Sequence, residues 1–199
     1  MENYIHEIQK YFQDENSSEH SYRTSFENYL KSIFSREKGY FTQQDQRAIS
    51  GNKPDFVVLK NNVPLLYIEV KKVGEDLDKI EKSDQADRYF GYDNLIISDY
   101  VNFRFFRNGQ KYNEEISLGD IDKNQRYIKS KEENFEHLTK TILDFVFSHK
   151  EAIKSGNQLA RIMGGKAQRI RDNVQYMLEN KNDKDSDLVK MLDVVKQNL

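Results

Sequence analysis

The chain has 199 residues, of which 32% are charged, with a formal net charge of -2, no cysteine and four histidines. That composition excludes a disulfide framework and a thiolate zinc site, and the scattered His6, His20, His137 and His149 make no histidine-rich metal cluster, so a bound metal would be held by oxygen. No apolar run is long enough to span a bilayer, and the N-terminus lacks the basic flank and apolar stretch of a signal peptide, so a soluble cytoplasmic protein is expected, with no membrane partner.

In chain order, Ile5, Ile8, Tyr11 and Phe12 share one helical face. After the polar DENSS segment, Tyr22, Phe26, Leu30, Ile33 and Phe34 mark a second helix, with Ser17 or Ser18 as its cap. From Tyr40 the pattern changes. The runs FVVL (56–59) and LLYIEV (65–70), around Asn61-Asn62, read as a hairpin. Residues 75–91 read as a weakly amphipathic helix, and short strands are expected at 94–98 and 101–107, with Asn108-Gly109 turning into 111–118. Beyond about residue 131 the periodicity is helical: Phe135, Leu138, Ile142, Phe145 and Val146 on one helix, Leu159 to Leu178 on a long one, and 188–198 on a last one. The expected fold class is α/β, a mixed central β-sheet flanked by helices over residues 1–130, with a C-terminal helical extension or coupling region over 131–199.

The chemistry concentrates in Lys53-Pro54-Asp55-Phe56 and Glu69-Val70-Lys71, with Asp55 fourteen residues before Glu69. Residues two apart in a strand point to the same side, so Glu69 and Lys71 emerge together while Ile68 and Val70 face apolar packing. A hairpin partner starting at Asp55 brings a second carboxylate beside them. Charged side chains on so apolar a strand are expensive unless they face a solvated or metal-filled cleft. Two carboxylates and a backbone carbonyl form a hard oxygen site suited to Mg²⁺, with Mn²⁺ able to substitute, and a neighbouring lysine can orient an attacking water. The plainer reading is a strand opener followed by an exposed Glu-Lys pair on an edge strand.

This order of helix, strand with PD, turn, strand with ExK, then helix resembles the core of the PD-(D/E)XK nuclease superfamily, a restriction-endonuclease-like fold. The resemblance implies that Asp55 and Glu69 bind metal, that Val70 lends its carbonyl, and that Lys71 is the catalytic lysine. It also implies an acidic residue on the first core helix, for which Glu27 is the candidate, with Glu19 behind it. Glu19, Arg23 and Glu27 stand four apart, and the alternative for them is an exposed intrahelical ion-pair ladder. Gln85 and Tyr89, also four apart, resemble the QxxxY element of the RecB-like branch, where it lines the active centre; a core amide and aromatic is the alternative.

The wording from Lys53 to Gly109 further resembles the N-terminal nuclease domain of type ISP and type IIG-like restriction-modification enzymes, where methyltransferase or motor domains follow on one chain. Neither a GxxxxGK[ST] loop nor an Asn-Pro-Pro-Tyr motif occurs here, since Gly164-Gly165-Lys166-Ala167 is too short and the prolines are Pro54 and Pro64 alone. Such domains are therefore expected in cis beyond this segment or in a partner subunit, with target recognition residing in them, and a homodimer would supply two centres for double-strand cleavage. DNA is the expected partner, with Lys53, Lys72, Lys82 and Arg88, and Lys79 beside them, as phosphate contacts. The basic Arg161, Lys166, Arg169 and Arg171 would serve DNA contact, domain coupling or solubility. A catalytically silent DNA-binding or docking module is the second functional class, and an RNA-directed nuclease or exonuclease with the same centre the third.

Overall fold

A computed structural model describes residues 2–14, 16–17, 19–35, 38–44, 54–61, 63–83, 86, 89–148, 155–157, 159–160, 163–164, 167 and 171. Two helices, α1 (Glu2–Gln13) and α2 (Glu19–Ile33), precede strands β1 (Tyr40–Gln44), β2 (Phe56–Lys60) and β3 (Val63–Val70). A short helix α3 (Leu77–Glu81) leads to β4 (Asn94–Ser98) and β5 (Asn102–Arg107). The small strands β6 (Gln110–Lys111), β7 (Ile116–Ser117), β8 (Gly119–Asp122) and β9 (Tyr127–Ser130) follow, and then helix α4 (Asn134–Phe147). The sheet runs β1-β2-β3-β4-β5-β6, with β7 also on β5, while β8 and β9 form a separate hairpin. All its pairings are antiparallel except β3 with β4. This is a mixed α/β architecture with helices on the central sheet, consistent with a restriction-endonuclease-like core.

Alternation along the strands sorts side chains onto two faces. Phe56, Val58, Leu66, Ile68, Ile96, Phe103 and Phe105 enter one core, which α1, α2 and α4 complete with Ile8, Phe26, Leu30, Leu138, Ile142 and Phe145. On the opposite face Leu95, Ile97, Phe106 and Tyr67 meet Leu77, Tyr89 and Tyr92 in a smaller core. The parallel β3–β4 pair requires a crossover, and the segment carrying α3 and Tyr89 makes it on this second face. Arg104 of β5 ties that crossover to the sheet through Asp78 and Glu81, each at 2.7 Å, and it also pairs with Glu115. Helix α4, assigned on sequence to the extension, buries its apolar stripe in the first core.

The hairpin of β2 and β3 forms where expected, with Asn61 at φ 50°, and the Asn108-Gly109 turn has both residues at positive φ, 50° and 73°. The expected continuous helix over 75–91 is corrected: α3 ends at Glu81 with Lys82 as its C-cap, and helical geometry returns at Ala86 and Tyr89. Strand β1 and the β8–β9 hairpin carry neither the apolar runs nor the alternation that marked the other strands, and 111–118 is broken into two short pairings. Most of the expected long helix from 159 and all of 188–198 lie outside the described residues. Among the described residues no helix is long and apolar enough to cross a membrane.

Phe26 is fully buried and touches Phe56, Tyr100 and Phe103 at ring centroid distances of 5.2 to 5.9 Å. Replacing Phe26 with Ala is expected to lower unfolding free energy by about 3–5 kcal/mol in denaturant titrations, whereas Phe41→Ala on β1 is expected to cost less than about 1 kcal/mol.

Candidate active site

The β2–β3 register pairs Phe56 with Ile68. One step outward from that pair, Asp55 stands opposite Glu69, and both alternate away from the Phe56/Ile68 face onto the side of Tyr67 and Tyr89. Val70 points its side chain into the first core and its N–H to Asp55 Oδ2 at 2.9 Å. In an extended strand the N–H and C=O of one residue point the same way, so the Val70 carbonyl is also directed to the Asp55 side. Lys71 extends the ladder toward β4 through its N–H to the Ser98 carbonyl at 2.8 Å. Its side chain returns to Glu69, with Nζ 2.7 Å from Oε1.

Glu69 is 4% exposed, and its Oε2 is enclosed without a hydrogen-bond partner of normal geometry. Burial, and next the charge of Asp55, push its carboxyl up to about 7, with Lys71 and the Tyr89 hydroxyl acting in the opposite direction. Tyr89 is buried beside Tyr92, which stacks on Tyr67 at 3.9 Å, so an aromatic wall closes this flank of the carboxylate.

Asp55 has a partner that the sequence had placed elsewhere. Arg23 of α2 reaches Asp55 Oδ1 with Nη2 at 2.5 Å, both side chains being 14% exposed. Glu27, the expected acidic contribution of α2, instead accepts from Gln44 at 2.6 Å and pairs with Lys31 at 2.9 Å. Among the described residues no group of three or more acidic or histidine side chains gathers, so Glu27 does not join Asp55 and Glu69. The i,i+4 spacing correctly grouped Arg23 and Glu27 on one side of the helix, but it carries no signal for Arg23 leaving that ladder to cross to Asp55.

The structure thus brings together Asp55, Glu69, Val70, Lys71 and Tyr89. Lys72 and Lys82 are solvent-exposed on the crossover that follows, as is Lys79, whose Nζ lies 3.9 Å from Asp76. Lys53, Gln85, Arg88 and the side chain of Glu19 lie outside the described residues.

Asp99, which sequence reasoning passed over, holds the turn after Lys71. It is 1% exposed and accepts from the backbone N–H of Gly74, Val101 and Asn102 and from the Asn102 amide. Those contacts fix the Lys72–Glu75 turn to the carboxyl end of β4, where Tyr100 adopts φ 72°. The Ser98-Asp99-Tyr100 break between two strands was the available signal.

As a donor set the site fits a hard divalent cation. Two opposed carboxylates, one with an unpartnered enclosed oxygen, and a carbonyl directed at them provide oxygen ligands only, and Mg²⁺ commonly uses one or two carboxylates while retaining several waters.

No family model and no curated protein matches the sequence. Among solved structures, a chain in a cryo-EM structure of a DrdV–DNA complex is similar, with TM-score 0.50 and 21% identity over 74% of this chain. The chain spans 14% of the length of that neighbour. The likeness is one of fold.

Because Glu69 has its folded-state pKa raised, the stability tied to its protonation is complete below the unfolded carboxyl value and is lost as pH rises through about 7. In metal-free buffer, thermal melts should show the wild type losing stability relative to Glu69→Gln between about pH 4.5 and 7. A pH-independent difference would contradict the burial assigned to this carboxylate.

Proposed function

We propose that this chain is a Mg²⁺-dependent nuclease domain that hydrolyses DNA phosphodiester bonds, the cleavage module of a restriction-modification enzyme. The observation that carries the reading is the buried Glu69 carboxylate, opposite Asp55 and bonded to Lys71. A salt-bridged pair kept for stability alone gives no reason to bury Glu69 opposite a second carboxylate, where burial and the charge of Asp55 both disfavour its ionised form.

Asp55 and Glu69, with the Val70 carbonyl, would hold the metal. The cation would supply Lewis-acid polarisation of the phosphoryl oxygen and a lowered pKa for an attacking water. Lys71, beside the two carboxylates, would orient the water and stabilise charge developing on the phosphate. Tyr89 and the Tyr67–Tyr92 stack would exclude bulk water from the Glu69 flank, and the exposed Lys72 and Lys82 would track the DNA backbone. Gln85 as a further residue of the centre, and Lys53 and Arg88 as further phosphate contacts, belong to the same proposal. Glu27 is left out of it, since its carboxylate is engaged by Gln44 and Lys31.

The fold likeness to a chain in a DNA complex supports DNA as the partner, and the 14% coverage of that chain supports a module that works with further domains, of methyltransferase or motor type. The Arg23–Asp55 ion pair, which neutralises one acid without a metal, favours a second reading as a catalytically silent DNA-binding module.

The two readings separate in a plasmid assay. Wild type should nick or linearise plasmid DNA with Mg²⁺ or Mn²⁺ and lose that activity with EDTA, and Lys71→Ala and Asp55→Ala should each fall by about 100-fold or more. Variants as active as wild type would remove the site assignment. A wild type that binds duplex without cutting it, in isolation or joined to its natural neighbouring domains, would establish the silent module. Calorimetric titration of Mn²⁺ into wild type and Glu69→Ala gives the metal site its own readout, since the variant should bind at least about tenfold more weakly.

A further inference from the structure

Resting on the metal-site reading above, the geometry points to a role for Arg23 that no acidic residue on α2 could take. We propose that Arg23 is a phosphate-binding residue held in reserve on Asp55, which it surrenders when a divalent cation enters, its guanidinium then turning to a nucleic-acid phosphate. Arg23 Nη2 sits 2.5 Å from Asp55 Oδ1, while Asp55 Oδ2 is already occupied by the Val70 N–H. Each Asp55 oxygen thus already accepts one hydrogen bond, and a cation at Oδ1 would have to share that oxygen with the Arg23 guanidinium or displace it.

Charge favours the exchange. Asp55 and Glu69 stand opposite each other, an arrangement that like charges disfavour, and each is neutralised by one cation, Arg23 and Lys71 respectively. With both carboxyls ionised, two acids and two bases balance. Adding a divalent ion to that set places two positive charges beside a guanidinium and an ammonium in a site where the paired side chains are 5 to 17% exposed and water screens poorly. A phosphate arriving with the metal restores the balance. Arginine suits the second half of the exchange, because its planar fork matches phosphate oxygens as well as it matches a carboxylate and keeps its charge throughout.

The position of Arg23 is rigid enough for this to be a designed approach. Three residues along α2, Phe26 packs edge-on against Phe56 at 5.2 Å, and Phe56 follows Asp55 directly. That ring pair sets the helix against the start of β2, so the backbone at 23 stays beside the site whether or not the side chain holds the carboxylate.

The experiment uses Arg23→Gln and Arg23→Lys in the full chain, with Mn²⁺ titrated by calorimetry and a short labelled DNA duplex titrated by anisotropy in Ca²⁺. Arg23→Gln should bind Mn²⁺ about tenfold more tightly than wild type and bind duplex about tenfold more weakly, two changes of opposite sign. Arg23→Lys should stay near wild type for Mn²⁺ and lose part of the duplex affinity, because it keeps the charge without the fork. Weaker binding of both ligands would make Arg23 a prop for Asp55 and overturn the proposal, as would unchanged or tighter duplex binding. Asp55→Ala distinguishes the failures: if it binds Mn²⁺ as wild type does, or if neither wild type nor Arg23→Gln binds Mn²⁺, the metal-site reading falls too. If Asp55→Ala loses Mn²⁺ while Arg23→Gln matches wild type in both titrations, only the role of Arg23 falls.

Discussion

The parallel pairing of β3 with β4, inside a sheet otherwise antiparallel, is the constraint from which the remaining arrangement follows. Antiparallel neighbours need only a turn, whereas a parallel neighbour requires the chain to travel back the length of the strand over one face. Here that return path lies over the Tyr67/Leu95/Phe106 face and carries Leu77, Tyr89 and Tyr92 onto it. Glu69 and Lys71 are on this face by alternation, so the crossover that builds the sheet also roofs the charged pair with aromatic side chains. The opposite face is left to α1, α2 and α4, which share one core with Phe56, Ile68 and Phe105.

That arrangement forces the protein to enclose charge. Glu69 lies in one row across the sheet with Ile97 and Arg104, and the three are answered differently. Ile97 is fully buried and apolar, Arg104 is paired with Asp78, Glu81 and Glu115, and Glu69 has Lys71 on one oxygen with the other enclosed outside normal hydrogen-bond geometry. The Arg104 cluster has a structural account, since it fastens α3 to β5 and burial alone would have lowered a guanidinium pKa that its acids raise. The Glu69 group has no such closure. Its imbalance belongs with the rest of the site, where Asp99 spends its acceptor capacity on the backbone of the turn after Lys71.

Much of this was legible in the sequence, for reasons specific to particular residues. The apolar runs FVVL and LLYIEV around Asn61-Asn62 marked the hairpin, and Glu69 and Lys71 standing two apart marked the side on which the charges emerge. Asn108-Gly109 carried its own turn chemistry. Strand β1 was not visible because YFTQQ is an edge strand whose outer positions are solvated, leaving Thr42 as its buried polar residue and Phe41 exposed at 43%. The crossover was overestimated as one helix because Leu77 and Tyr89 both suit a helical face, while nothing in the spacing shows that the chain breaks at Lys82. Helix spacing likewise placed Arg23 and Glu27 together but could not decide which of them would face the strands, a choice made by tertiary packing.

That choice is settled by aromatic packing rather than by charge. Phe26 meets Phe56 edge-on, and one turn before it on α2 the residue beside the β2 start is Arg23. Glu27, on the far side of Phe26, falls next to β1 and is taken by Gln44. Had the helix been shifted by one turn, an acid would stand against Asp55 and Glu69, and three carboxylates would have to share the pocket with Lys71 as their one cation among the described residues. Placing arginine there makes the metal-free site neutral, and so lets a buried pair of opposed acids exist in a fold that must be stable before it meets either metal or nucleic acid.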